Sequence, residues 1–222
     1  MKCSGRGAPF APGVREPPTA QLSCAFAVGL VPSHSPQMRT VVRSAALIAF
    51  SVACGYAKLV LFPYLFFVEI FSVAVFLSGT IVGVAWGIWI GGVARLIFTV
   101  ANPYGPTHPW VMVAQIAGAA AIGAMGGASR RWLLPGTSAR APLGDRGRVA
   151  LLAALGLVGT LAYDLVTNAA QGVVFGAVGA TLAFAAIPSL QHIASNTVLF
   201  AVIGGLALPW LGRDPRILGH GS

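Results

Sequence analysis

The chain has 222 residues, of which 56% are hydrophobic and 9% charged, and its 14 Lys and Arg against 5 Asp and Glu give a formal net charge of +9. Water-soluble domains carry roughly a quarter charged residues, so a soluble globular body is excluded, and a mean hydropathy of +0.81 points to an all-α integral membrane protein. The positive excess does not describe a nucleic-acid face, because the basic residues lie mainly beside apolar runs, where they act as orientation signals. Cys3, Cys24 and Cys54 show no CxxC spacing, which argues against a disulfide framework or a zinc site.

Residues 1–37 are rich in Pro, Gly and Ser and lack helical periodicity, so they read as a disordered cytoplasmic tail or a mis-assigned start, with Met38 as the alternative initiator. From Met38 the order of basic, apolar and small residues also fits a secretory signal, and Ser51 to Cys54 weakly resembles a lipoprotein cleavage box. An uncleaved first helix explains the pattern equally well, since further spans follow at once. A hydrocarbon core of ~30 Å takes about 20 helical residues, and apolar stretches near 41–60, 64–79, 81–100, 110–131, 149–175 and 186–209 meet or approach that length. The expectation is a bundle of about six transmembrane helices over residues 38–212, followed by a short cytoplasmic tail, 213–222. Phe62 to Val100 is nearly continuous and is divided near Ser78-Gly79-Thr80, so five or seven spans stay open.

Basic residues collect in cytoplasmic loops. Arg39 and Arg43 precede the first stretch, Arg130, Arg131, Arg140, Arg146 and Arg148 separate the fourth from the fifth, and Arg213 and Arg216 follow the sixth. With six spans all three groups fall on one side, which makes both termini cytoplasmic. Small residues four apart let helices approach closely. Ala45, Ala49 and Ala53 form such a stripe in the first span, as do Gly83, Gly87 and Gly91 in the third and Gly123 and Gly127 in the fourth.

A charge at the centre of a membrane helix costs about 2.5–3.5 kcal/mol on insertion scales, so each intramembrane polar residue needs a reason. Asp164 lies about 22 Å along the fifth span from its cytoplasmic start, and Asp164, Asn168 and Gln171 share one helical face at i, i+4 and i+7. Ser189, His192 and Asn196 do the same on the sixth span. Gln115, Glu69, Lys58 and Arg95 sit near the outer ends of their own spans, while the inner half is almost purely apolar. An ion channel needs polar lining through both halves; a one-sided cluster suits capture of a solute from outside. The alternative is that these groups pair among themselves, as Asp164 with His192 or Glu69 with Arg95. Lys58 also fits simple snorkelling to the interface. Between the third and fourth spans, Asn102-Pro103-Tyr104-Gly105-Pro106-Thr107-His108-Pro109-Trp110 reads as a rigid turn with an interfacial aromatic belt, or as a lid in which Asn102, Tyr104 and His108 cover a bound solute.

Several of these segments resemble the substrate-binding S components of energy-coupling factor vitamin transporters: the stripe Ala45, Ala49, Ala53; the Asn102-Pro103-Tyr104-Gly105-Pro106 turn followed by Gln115; Tyr163-Asp164-Leu165-Val166-Thr167-Asn168; and Ser195-Asn196. The resemblance covers most of residues 41–210. It implies a six-helix bundle that binds a vitamin or similar micronutrient in an outward-facing pocket. It also implies docking, through the alanine stripe, on a transmembrane coupling protein that carries two cytoplasmic ATPases. No GxxxxGK[ST] sequence occurs in the chain, so on this reading the ATP-driven step belongs to those partners, and no cofactor is expected on the chain itself.

Three rival readings differ in class. An intramembrane protease lacks a GxSG-like nucleophile segment, and His192 and Ser195 at i, i+3 on one helix make no evident dyad, so a non-enzymatic role is expected. A structural or assembly scaffold would use the same polar residues to join helices. A stand-alone secondary carrier would need an internal duplication, and none is visible.

Overall fold

The computed structural model describes residues 36–61, 68–103, 105–134 and 143–213, all helices and short connections with no strand among them. The elements are α1 (Pro36–Leu61), α2 (Ile70–Val82), α3 (Val84–Val100), α4 (Pro109–Leu133), α5 (Asp145–Val174), α6 (Val178–Leu199), a π-helical turn (Phe200–Gly204) and α7 (Gly205–Leu211). Residues from Thr40 onward form one unit; of the unit before it, Met1–Arg39, the described residues are the first turn of α1. Among the described residues four stretches are long and apolar enough to cross a bilayer: Gln37–Val60, Pro109–Leu133, Asp145–Val174 and Val178–Leu211. Internal backbone pairing is what permits such helices in lipid, where no water satisfies an open N–H or C=O.

The other two helices depart from the sequence expectation. The nearly continuous apolar stretch divides at Gly83, not at Ser78-Gly79-Thr80, giving helices of 13 and 17 residues, about 20 and 26 Å long. Gly83 has φ +93°, a left-handed conformation that costs a side-chain-bearing residue energy. It is therefore the pivot of a tight helical hairpin, where a Cβ would meet nothing within 4 Å although the backbone itself lies against Gly127. The remaining glycines do pack. A Cβ on Gly87 would stand 3.0 Å from the Gly79 Cα and collide with the Gly123 carbonyl; Gly91 abuts the Ala119 carbonyl and Gly127 the backbone of Gly83 and Val84. α2, α3 and α4 thus meet backbone to backbone. Van der Waals contact between glycine faces replaces the hydrophobic effect that lipid cannot supply.

Side chains attach α1 to this trio. Gly55 sits against the rings of Phe98 and Phe71, Tyr56 stacks at 5.3 Å on Phe98, and the Tyr56 hydroxyl donates to the Ala101 carbonyl at 2.6 Å. Ala45, Ala49 and Ala53 are all exposed, as is Phe50.

Local chemistry fixes the helix ends. α4 starts with Pro at its first position and His108 as cap, whose ring nitrogen accepts from the Trp110 N–H at 3.4 Å. It ends with Arg130 and Arg131 in its last turn, where their charge suits the helix dipole, and Arg130 donates across to the Ile81 carbonyl of α2 at 3.1 Å. α5 opens with Asp145, paired with Arg148 one turn on. It closes in a turn in which the Ala177 N–H donates to Gly172 at 2.9 Å and Gly176 adopts φ +66°. That turn lays α6 antiparallel on α5. Facing residues then recur about one turn apart: Asn168 with Ser189, Asp164 with His192, Thr160 with Asn196, Gly156 with Phe200, and Leu152 with Gly204.

Candidate functional site

The α5–α6 register builds the polar centre. His192 is held at both ring nitrogens: Nδ1 lies 2.9 and 3.1 Å from the two carboxylate oxygens of Asp164, and Nε2 lies 2.9 Å from Glu69 Oε2. Glu69 stands at the N-cap position of α2 without capping it through its side chain, and meets Arg95 of α3 at 3.3 Å through its other oxygen, because the hairpin at Gly83 folds the start of α2 level with the last turns of α3. The Arg95 guanidinium lies 5.6, 5.5 and 5.4 Å from the ring centres of Phe71, Phe98 and Tyr163, distances at which an aromatic face attracts a cation. Behind His192, Asn196 is fully buried and its amide donates to Thr160 Oγ1 at 3.1 Å.

Four helices therefore contribute to one connected set: Glu69, Arg95, Asp164, His192 and Asn196, all named from sequence as site candidates, Tyr163, named only as part of the Tyr163–Asn168 stretch, and Thr160, Phe71 and Phe98, which were not named. Thr160 lies one turn before Asp164 on the same face and extends the i, i+4 series; that periodicity was its signal. Phe71 and Phe98, the phenylalanine partners of Arg95, left no trace in a sequence full of apolar residues.

Beside this set lies an open groove of about 570 Å³ between the end of α5 and the start of α6. Asp164, Asn168, Gln171, Ser189 and His192 form its polar wall, and Phe175, Phe184, Ala180 and Pro188 its apolar one. Asn168 Nδ2 donates to Ser189 Oγ at 3.1 Å, and Gln171 is exposed. The volume falls in the usual range of small-molecule sites, about 300–1,000 Å³. Phe184 is 88% exposed, a feature indistinguishable in sequence from a lipid-facing side chain.

The other predicted site residues lie elsewhere. Gln115 accepts from Thr99 Oγ1 at 3.3 Å between α3 and α4, His108 caps α4 and Asn102 is half-buried in the connection; none of the three lines the groove. Tyr104 is outside the described residues. Among the described residues no three His, Cys, Asp or Glu side chains are arranged to hold a metal ion; the Asp164–His192–Glu69 contacts run through the imidazole and not around an empty centre.

No family model matches the chain, and neither curated proteins nor solved structures offer a match. Functional argument therefore rests on the site alone.

Proposed function

We propose that this chain is the substrate-capture subunit of an ATP-driven micronutrient importer of a prokaryotic cell membrane. It holds a vitamin-like solute in the α5–α6 groove and docks on a separate transmembrane coupling protein served by two cytoplasmic ATPases. In this reading all six helices through α6–α7 cross the bilayer, α2 and α3 as short crossings, with both termini in the cytoplasm.

The observation that carries the reading is the groove itself. Asp164, Asn168 and Gln171, the one-face series on α5, share a cavity of about 570 Å³ with His192 of α6, near a helical turn that the charge pattern assigns to the outer side. Exposure of Ala45, Ala49 and Ala53 supports the docking half, since a stripe that packed within the bundle would be covered. The test is native mass spectrometry of the protein drawn from its source membrane. A small solute should leave with it on activation; a groove that is always empty, with no thermal stabilisation across a vitamin panel, overturns the reading.

One observation favours a scaffold instead: Glu69, Arg95, Asp164 and His192 partner one another, as helix-joining residues would. Alanine at Asn168 separates the two. A capture subunit loses ligand affinity, whereas a scaffold loses stability alone.

A further inference from the structure

Among its charged groups the groove offers spare acceptors and no spare donor, while Asn168, Gln171 and Ser189 can serve in either role. Its ionisable wall groups are Asp164 and His192. Both ring nitrogens of His192 already face carboxylates, so the imidazole has no N–H to offer an incoming acid. Arg95 is turned away: it pairs with Glu69, lies among three rings and does not reach the wall. The Asp164 carboxylate, in contrast, accepts from a single ring nitrogen, while an ionised carboxylate has about four acceptor sites. Pro188 adds a second acceptor by a separate route. It carries no N–H, so the Phe184 carbonyl one turn earlier lacks its usual helical donor, and both residues line the groove. The Phe175 and Phe184 rings stand on the same cavity, where aromatic faces attract a flat cation.

We propose that the ligand of this groove is a small aromatic base, a planar ring bearing N–H donors such as an amidine, a benzylic amine or an amino-heterocycle, and not a carboxylate or a phosphate. The assignment rests on the capture reading and narrows it. The ligand's N–H groups take the spare oxygens of Asp164, Asn168 and Gln171 meet its remaining edge, and its ring points along the groove toward Phe184 and Phe175, which lie about 12 and 16 Å further along their helices. A charge-assisted N–H to carboxylate bond is the strong contact of such a set.

The experiment uses three ligands of one shape: benzamidine, benzamide and benzoate, titrated against the full chain in lipid nanodiscs. Benzamidine should bind at least about tenfold more tightly than benzamide, the range set by a hydrogen bond to a charged group, and benzoate should not bind. Asp164→Asn should erase the difference. Because that variant also removes a partner of His192, a second variant keeps the test open: Gln171→Glu, at an exposed position on the wall, should tighten benzamidine several-fold and leave benzamide unchanged. Benzoate binding as well as benzamidine, no response to Gln171→Glu, or binding by none of the three overturns the assignment. Recovery of an acidic solute by native mass spectrometry overturns the base and leaves the capture reading standing; a groove found empty throughout removes both.

Discussion

Asp164 on α5 and His192 on α6 meet through both carboxylate oxygens, 2.9 and 3.1 Å from one ring nitrogen, across 28 residues of chain. The opposite nitrogen is 2.9 Å from Glu69, so a single imidazole ties α5 and α6 to the start of α2. The Asn196 amide nitrogen lies 3.1 Å from the same nitrogen, Nε2, so the ring carries contacts to three side chains.

His192→Ala should be the most damaging change at this junction. It leaves two largely buried acids facing a void, a loss of about 3–5 kcal/mol where one partner of a buried pair is removed. His192→Gln should cost less, because its amide can still donate to one carboxylate. Thermal unfolding in detergent, followed by the loss of monodisperse protein, gives the order; equal midpoints for His192→Ala and the parent chain would show that the tie bears no stability.

The glycine contacts predict a second, sharper contrast. Gly123→Val should abolish folded protein, since any Cβ there strikes the Gly87 carbonyl, whereas Gly92→Ala should be nearly neutral because its Cβ would meet only side chains, at 3.7 and 3.9 Å. The yield of monodisperse protein after size exclusion measures both. At Gly83, whose φ of +93° and ψ of 178° lie in a region essentially reserved for glycine, alanine should cost about 1–3 kcal/mol through backbone strain alone.

Hydropathy and helical periodicity carried the helical class, the four long stretches and the pairing of Asp164 with His192, because each depends on residues one helical turn apart on a face. The position of the α2–α3 break was not legible in that way. Ser78-Gly79-Thr80 and Gly83 are equally plausible interruptions by composition, and the choice is made by tertiary contact: Gly79 is needed inside a helix to admit Gly123, which leaves Gly83 to turn the chain. For the same reason Gln115 and His108 read as ligands by type while serving α3–α4 contact and a helix cap. Polar residue identity indicates a need for a partner; it does not say whether the partner is a ligand or the next helix.

Docking predicts a change that leaves the isolated chain intact. Ala49 is exposed on α1, so Ala49→Trp should leave the unfolding midpoint and benzamidine affinity unchanged, within about 0.5 kcal/mol as for surface substitutions generally. Co-purification of a coupling protein and its ATPases from source membranes should be lost. Retention of that assembly would remove the stripe from the interface.

The last prediction separates the polar set from the groove beside it. Arg95 and Glu69 belong to the set but do not line the cavity, so they should govern stability without governing affinity. Arg95→Met alone removes a charge partner of Glu69 and should lower stability by about 3–5 kcal/mol. Adding Glu69→Gln removes the charge left behind, and an amide can still accept from His192, so the double variant should recover most of the loss; replacing a buried ion pair by groups of similar volume is often close to neutral. Benzamidine affinity in the recovered protein should match the parent. An affinity loss as large as that of Asp164→Asn, in a double variant of normal stability, would instead mean that the ligand reaches past His192 to the Glu69 carboxylate, and the site would then extend across α2 and α3 as well as α5 and α6.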